Sequence, residues 1–238
     1  MITLTNGELL LTNDLTILGP GATNLSVSGN SQTRVLEIGS NITANISGLT
    51  IRDGHGAGAA TNGGGLYNAG ILKLSNCTIT SNSAAGAPWG FGSDAAGAAG
   101  GAIYNVGTLV LSYCSLTRNS AGDGGTGPAY HAPGAPGASG GGIYNGGALS
   151  LAYCTIADNR AGNGGSGAFG GYQGGPGGTG AWGGDGGGIW NASSVEAMGC
   201  TFSGNFAGKG GGGGGLIPAT EAVVPMVVLE VPFATWAC

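Results

Sequence analysis

Apolar residues along this chain occur in short alternating runs that recur with nearly the same spelling. In the clearest run, Leu72 and Leu74 alternate with polar residues, and Cys77 and Ile79 follow after a polar pair. Alternation with a period of two over a few residues, interrupted by Asn and Gly, predicts short β-strands joined by tight corners. No apolar stripe at helical spacing is present, so helices are not expected.

The runs belong to a repeat, because an aromatic–Asn pair occurs four times and is followed each time by a Cys and a second Asn at constant spacing. The aromatic residues are Tyr67, Tyr104, Tyr144 and Trp190, and their partners are Asn68, Asn105, Asn145 and Asn191. The cysteines are Cys77, Cys114, Cys154 and Cys200, and the second asparagines are Asn82, Asn119, Asn159 and Asn205. Such constant spacing predicts one structural unit repeated along the chain.

A coil of three short parallel strands per turn accounts for this repeat, since stacked turns bury a core that no single turn could bury. Equivalent residues then lie above one another, about 4.8 Å apart. The cysteines are expected to form an inward ladder of small apolar spacers rather than a redox or metal site. The second asparagines are expected at corners, bonding the next turn's backbone and tolerating the left-handed region.

The motif GGGLYNAGILKLSNCTITSNSA, echoed two units later as GGGIYNGGALSLAYCTIADNRA, resembles the repeat of right-handed parallel β-helix proteins. It is especially similar to repeats of polymorphic outer-membrane proteins and of large bacterial surface proteins. The resemblance covers roughly residues 2–207. It implies an all-β, right-handed parallel β-helix in an exported protein, in families that include adhesins, surface scaffolds and polysaccharide-active enzymes.

The chain departs from that pattern through three Gly-rich insertions, at about 84–99, 121–139 and 161–185. Each follows the second Asn of its unit, so all three are expected on one side of the coil. We therefore predict a β-helix domain over 1–207, followed by a Gly linker and an apolar tail over 208–238. The tail (LIPATEAVVPMVVLEVPFATWAC) is β-prone and is expected either to cap the last turn or to pair with a neighbouring molecule.

Glycine recurs at every third position in the third insertion, at Gly171, Gly174, Gly177, Gly180, Gly183 and Gly186. The second insertion shows the same spacing at Gly134, Gly137 and Gly140. A period of three with glycine is typical of polyproline II geometry, in which glycine permits close packing of neighbouring segments. We predict a bundle of such segments beside the β-helix; the alternative is a set of flexible Gly linkers.

Composition and charge limit the classes of partner and the cellular location expected for this chain. Of 238 residues, 56 are Gly, six are basic and 11 are acidic, for a net charge of -5. So few basic residues argue against nucleic acid as a partner, and no apolar stretch is long enough for a membrane span. Five cysteines, four of them in the repeat, make a disulfide framework unlikely to be the organising element. No export signal is visible at the start of the chain, yet the resemblance implies an extracellular or cell-surface location.

The sequence shows no clear cluster of candidate catalytic residues. The best local group pairs Arg118 with Asp158 at equivalent positions of adjacent units, with Arg52 and Asp53 on an earlier turn. A stacked Arg–Asp pair is more typical of solvated surface charges. His55 and His131 lie in Gly-rich loops without evident ligand partners. We therefore expect no catalytic site, no metal and no cofactor, and keep a polysaccharide lyase or hydrolase as an alternative.

A ladder of hydroxyl side chains flanks the inward residues of the third strand in each unit. Its members are Thr78, Thr80, Ser115, Thr117, Thr155, Thr201 and Ser203. Thr and Ser are common on exposed strands, but such arrays also resemble ice-binding faces. The first hypothesis is a non-enzymatic, extracellular structural or adhesive protein that associates with itself, with a glycan or cell-surface ligand as a further partner. Ice binding through the hydroxyl ladder is the alternative.

Overall fold

The computed structural model describes residues 1–56, 62–87, 95–170 and 176–214, and this part of the chain is all-β, without an α-helix. The strands in chain order are β1 (Ile2–Thr3), β2 (Leu9–Leu11), β3 (Leu15–Leu18), β4 (Ser26–Ser28), β5 (Leu36–Ile38), β6 (Thr43–Ser47), β7 (Thr50–Arg52), β8 (Leu66–Asn68), β9 (Ile71–Ser75), β10 (Thr78–Thr80), β11 (Ile103–Asn105), β12 (Thr108–Ser112), β13 (Ser115–Thr117), β14 (Ile143–Asn145), β15 (Ala148–Ala152), β16 (Thr155–Ala157), β17 (Ile189–Asn191), β18 (Ser194–Met198) and β19 (Thr201–Ser203).

The strands form three parallel sheets, and each strand pairs with its counterpart one turn later. The sheets have the orders β1-β4-β7-β10-β13-β16-β19, β2-β5-β8-β11-β14-β17 and β3-β6-β9-β12-β15-β18. The register follows the sequence repeat, since Tyr67 pairs with Tyr104, Tyr104 with Tyr144, and Tyr144 with Trp190. The prediction of an all-β parallel β-helix is therefore confirmed.

The core of the β-helix is a set of inward columns that the strand alternation builds. One column runs through Ile51, Ile79, Leu116 and Ile156, all completely buried. Because consecutive side chains of a strand point to opposite faces, every second residue joins such a column. Each turn thus buries its apolar residues only against the turns above and below it, which is the reason the repeat has to stack.

Left-handed corners close each turn after the third strand. Ser81, Arg118 and Asp158 occupy equivalent corners with φ of 56°, 55° and 55°, and Gly204 continues the column at 59°. The second asparagines, such as Asn119, directly follow these corners and do not themselves have positive φ. The sequence reasoning placed the left-handed conformation one residue too late, because the asparagine is instead held by its amide bonds.

In the described part of the chain, seven extended segments lie beside the β-helix. The outgoing segments leave the corner after the second Asn and comprise 84–87, 121–127, 161–168 and 207–214; the returning segments comprise 95–99, 132–139 and 176–184. Their backbone hydrogen bonds recur at every third residue, as in Gly162 N–H to Ala138, Gly165 N–H to Ala135 and Ala168 N–H to Ala132. Three residues per turn is the period of polyproline II geometry. We call this assembly the segment bundle.

The predicted glycine period falls partly inside the described residues. Gly177, Gly180 and Gly183 lie in the third returning segment, whereas Gly171 and Gly174 lie outside the described residues, as does the tail from 216 onward. Gly177, Gly180 and Gly183 face the fourth outgoing segment so closely that a Cβ on any of them would overlap its backbone. Gly186 has a φ of 64° and makes the corner that returns the chain to β17.

Candidate functional site

The four repeat aromatics form one continuous stack on the outward side of the second sheet. Ring centroids are 5.5 Å apart between Tyr67 and Tyr104, 4.6 Å between Tyr104 and Tyr144, and 4.4 Å between Tyr144 and Trp190. Each ring therefore uses its faces for its neighbours. Burial and the neighbouring tyrosines raise the pKa of the Tyr104 hydroxyl. The stack is a structural ladder with edges, rather than faces, turned toward solvent.

Two asparagine ladders run inside the β-helix and satisfy each other's amides. Asn68 donates to the side-chain oxygen of Asn105 at 2.7 Å, and the pattern continues to Asn145 and Asn191 at 2.6 Å each. The second ladder runs through Asn82, Asn119, Asn159 and Asn205, where each side-chain NH2 donates to the next side-chain oxygen at 2.9–3.0 Å. Since buried amides are costly unless paired, these ladders hold the turns in register.

The cysteine column is buried and reduced. Cys77, Cys114 and Cys154 are buried, Cys200 is half-buried, and all four thiols are free. Hydrogen bonding with Cys154 and Cys77, together with burial, raises the pKa of the Cys114 thiol. Within the described residues no group of three or more His, Cys, Asp or Glu side chains is arranged to hold a metal ion.

The hydroxyl ladder is longer and narrower than its sequence pattern indicates. One outward column continues over six turns, as Ser26, Thr50, Thr78, Ser115, Thr155 and Thr201. The second column contains Arg52, Thr80, Thr117, Ala157 and Ser203. Thr80 and Ala157 are buried, at 8% and 9% exposure, so this column is not a continuous surface. The exposed hydroxyls form a line rather than a two-column face.

Among the described residues, one cluster of charges bridges turns, and sequence reasoning missed it. The guanidinium of Arg34 pairs with Glu8 at 2.5 Å and with Glu37 at 3.2 Å, and it lies over the Tyr67 ring at 5.2 Å from the centroid. The Arg34 side chain is largely buried, and it also donates to the carbonyl of Asn62. Its partners Glu8, Glu37 and Asn62 lie in three successive turns, next to or within β2, β5 and β8. Only the folded stack brings them together.

Of the two pairs of charges that the sequence singled out, Arg52 and Asp53 form an ion pair, whereas Arg118 and Asp158 do not. Among the described residues the ion pairs involve Arg34 and Arg52, with Arg52 bonding Asp53 at 2.6 Å. Arg118 and Asp158 share the corner column, and Asp158 lies against the position that a side chain on Gly204 would occupy. This corner therefore carries Arg118 and Asp158 as separate charges rather than as an ion pair.

The two ends of the stack expose the last members of the same columns. At the N-terminal end Ile2, Leu9 and Leu10 are 50%, 41% and 55% exposed. At the C-terminal end Phe202 is 48% exposed, and it continues the inward column of Ile2. Trp190 in the same way continues the outward column of Leu10.

The outermost column of the third sheet also ends in apolar residues at both ends. It begins at Leu18, 80% exposed, passes through three serines and Ala152, and ends at Met198, 59% exposed. The strands that carry these residues are edge strands among the described residues. Exposed apolar side chains on open edges are typical of interaction surfaces.

The fold defines a repeat protein of the parallel β-helix class. Comparison with protein-family models found no match, and neither curated proteins nor solved structures gave one. In the described part of the chain no helix is long and apolar enough to cross a membrane.

Proposed function

We propose that this protein is a non-enzymatic structural or adhesive rod, exported to the cell surface, that associates end to end with further copies of itself. The carrying observation is that both ends expose apolar residues of shared columns. A second copy placed on the C-terminal end would set Ile2 on Phe202 and Leu10 on Trp190. Resemblance of the repeats to bacterial surface-protein repeats supports the location and the scaffold role.

Contact between Leu18 of one copy and Met198 of the next provides the test. Both side chains point outward and are exposed, so a Glu at either position leaves the monomer's core unchanged. Leu18→Glu blocks the N-terminal end and Met198→Glu the C-terminal end, because an unpaired charge is costly in an apolar contact. Sedimentation velocity against concentration measures rod length for each variant.

Wild-type protein is expected to give a concentration-dependent series of rods, and each variant alone to stay monomeric. An equimolar mixture of the two variants is expected to stop at dimers, since each supplies one intact end. Phe169→Glu is the matched control, because Phe169 is also 80% exposed but lies directly after the third outgoing segment, away from both ends. Wild-type monomers at high concentration, or variants that associate as the wild type does, would contradict the proposal.

A second candidate function, ice binding, is favoured by the unbroken hydroxyl column over six turns. The exposed hydroxyls form only one column, because the neighbouring column is partly buried, so the face is narrower than a two-column array. Thr78→Leu, at the centre of the line, should abolish any ice-crystal shaping by the purified protein, while Thr201→Leu at its end should reduce it less. Absence of crystal shaping and thermal hysteresis in the wild type removes this candidate.

A polysaccharide-active enzyme remains the third alternative, and a glycan ligand bound without turnover fits the adhesive proposal equally well. Product release from an acidic polysaccharide that disappears in Asp158→Ala would favour the enzyme. Binding of the polysaccharide without product would favour the adhesive role.

A further inference from the structure

The segment bundle grows by a regular rule, in which each outgoing segment receives a returning segment that runs antiparallel to it. In the second pair, Ala135 N–H donates to Gly125 at 2.8 Å and Ala138 N–H to Gly122 at 3.0 Å. In the third pair, Ala181 N–H donates to Gly165 at 2.9 Å. The outgoing and returning segments of a pair are thus joined to each other by backbone hydrogen bonds.

Returning segments also bond to the returning segment of the next turn. Gly134 N–H donates to Thr179 at 2.9 Å, and Gly137 N–H donates to Trp182 at 3.0 Å. A returning segment therefore lies in a groove with two walls: the outgoing segment of its own turn supplies carbonyls, and the returning segment of the previous turn supplies N–H groups.

The last such groove is open in the described part of the chain. Its walls are the third returning segment (176–184) and the fourth outgoing segment (207–214), and we call it the edge groove. The N–H groups of Gly180 and Gly183 and the carbonyls of Gly208 and Gly211 make none of the hydrogen bonds found among the described residues. Backbone groups of this kind are strong donors and acceptors that a further segment would satisfy.

Glycine contacts show directly that this position differs from the filled ones. A Cβ on Gly164 or Gly167, in the third outgoing segment, would overlap the carbonyl oxygens of Ala181 and Gly178 in the returning segment. Gly210 and Gly213 are the equivalent residues of the fourth outgoing segment. A Cβ on either has its nearest described neighbour 3.7 Å away, at the carbonyl oxygens of Ala181 and Gly178 respectively.

We infer that the edge groove binds a Gly- and Ala-rich polyproline II segment of a separate polypeptide, in the backbone arrangement of the returning segments. The occupant has to be rich in small residues, because the returning segments that occupy the other grooves are rich in Gly and Ala. In the second returning segment, Pro133, Pro136 and Ser139 point outward while Gly or Ala fills the other two positions of every three. An extended segment of this kind already has the bound geometry, so it loses little conformational freedom on binding.

Residues 216–238 are a poor source of that occupant. Residues 216–238 contain no glycine, and no stretch of them has Gly or Ala at two of every three positions. In a second copy, the described Gly- and Ala-rich segments already lie inside its own bundle. An end-to-end neighbour does not bring the described outgoing segments of its bundle close either, because the first of them follows β10, more than two turns from the N-terminal end.

A peptide of repeating Pro-Gly-Ala, copied from residues 133–138, is the direct probe. About nine residues suffice, since ~3.1 Å per residue covers the length of the groove. The control peptide repeats Pro-Gln-Gln, which keeps the proline period but puts long side chains where Gly and Ala lie. Fluorescence anisotropy of labelled peptide with the full-length protein is expected to show saturable binding of the first and none of the second.

A pair of variants places the binding in the edge groove. Gly210→Ala combined with Gly213→Ala fills the groove wall, yet each new methyl has ordinary space in the free protein. Affinity for the Pro-Gly-Ala peptide is expected to fall by at least about tenfold, because one carbonyl oxygen would overlap each methyl. Gly212→Ala is the matched control, with its nearest neighbour at 3.8 Å, and should bind as the wild type does.

Failure of the peptide to bind, or equal binding by the double variant, would overturn the proposal. So would a double variant that loses self-association, since a second copy would then be the occupant. Protection of the Gly180 and Gly183 N–H groups from hydrogen exchange by residues 216–238 would overturn it in favour of the chain's own tail. The end variants at Leu18 and Met198 leave the edge groove intact, so the proposed end-to-end association can fail or hold separately.

Discussion

The β-helix and the segment bundle are built on the same turns but are stabilised in opposite ways. The β-helix fills its interior with side chains such as Leu111 and Ile143, which are completely buried. The bundle fills its interior with backbone, since a Cβ on Gly165 would overlap the carbonyl of Gly125. Both share the spacing between turns, because the bridges His55–Ser83–Ser120–Arg160–Phe206 continue the strand ladder into the bundle. The β-helix depends on large apolar side chains, whereas the segment bundle depends on residues that have no side chain to obstruct the packing of its backbone.

Removing a core side chain should give the largest effect. Leu111→Ala leaves a cavity between stacked turns, and we expect a loss of about 2–5 kcal/mol in the free energy of unfolding. Val110→Ala, on the same strand but pointing outward, is the control and should stay within about 1 kcal/mol. Urea unfolding followed by circular dichroism measures both. Equal losses for the two variants would mean that the column does not carry the stability.

The next largest effect on stability is expected at the corner where the β-helix joins the segment bundle. Asn119 accepts from the N–H of Asn82 at 3.0 Å and donates to the carbonyl of Ile79 at 3.1 Å. Asn119→Ala leaves these buried groups unpaired, and each is expected to cost about 1–3 kcal/mol. Hydrogen exchange should show lost protection in both the β-helix and the bundle near this turn. Loss of protection in only one of them would mean that this corner does not couple the stability of the β-helix to that of the bundle.

Adding a methyl to the bundle should destabilise it, although the same change in a helix would be favourable. Gly165→Ala is expected to cost about 1–3 kcal/mol, because backbone on both sides leaves no room. Gly212→Ala, with open space around its Cα, should change stability by less than about 0.5 kcal/mol. Amide exchange of residues 161–168 reports the difference locally. An unchanged Gly165→Ala variant would mean that the bundle is looser than its hydrogen bonds indicate.

The smallest effect concerns the charge cluster that joins the first turns. Burial raises the pKa of the Glu37 carboxyl above its ordinary 4.5, partly offset by Arg34. The folded state therefore holds this proton more tightly than the unfolded state. Its contribution to stability is present below pH 4.5 and is lost as the pH rises through the raised pKa. Glu37→Gln should flatten this part of the pH–stability curve, and a curve unchanged by the substitution would exclude Glu37 as its source.

Strand positions and register were predictable from the chain because they depend on local alternation and on a constant repeat. Tyr67, Tyr104, Tyr144 and Trp190 stack in the structure in the order that their spacing indicates. The exposed surface was less predictable. Thr80 has the same alternation as Thr78 but is buried, because what covers an outward residue is decided by the corner and the bundle beside it.

The sequence by itself determined the stacking of like residues, since a repeated unit with one apolar face can bury it only against its own copies. It also determined the Gly period that lets extended segments approach closely. Only the tertiary structure decided which backbone groups face an open groove, which columns end exposed, and that Arg34 meets Glu8 and Glu37. Those features depend on contacts between segments far apart in the chain, and no local pattern encodes which of them remain unpaired.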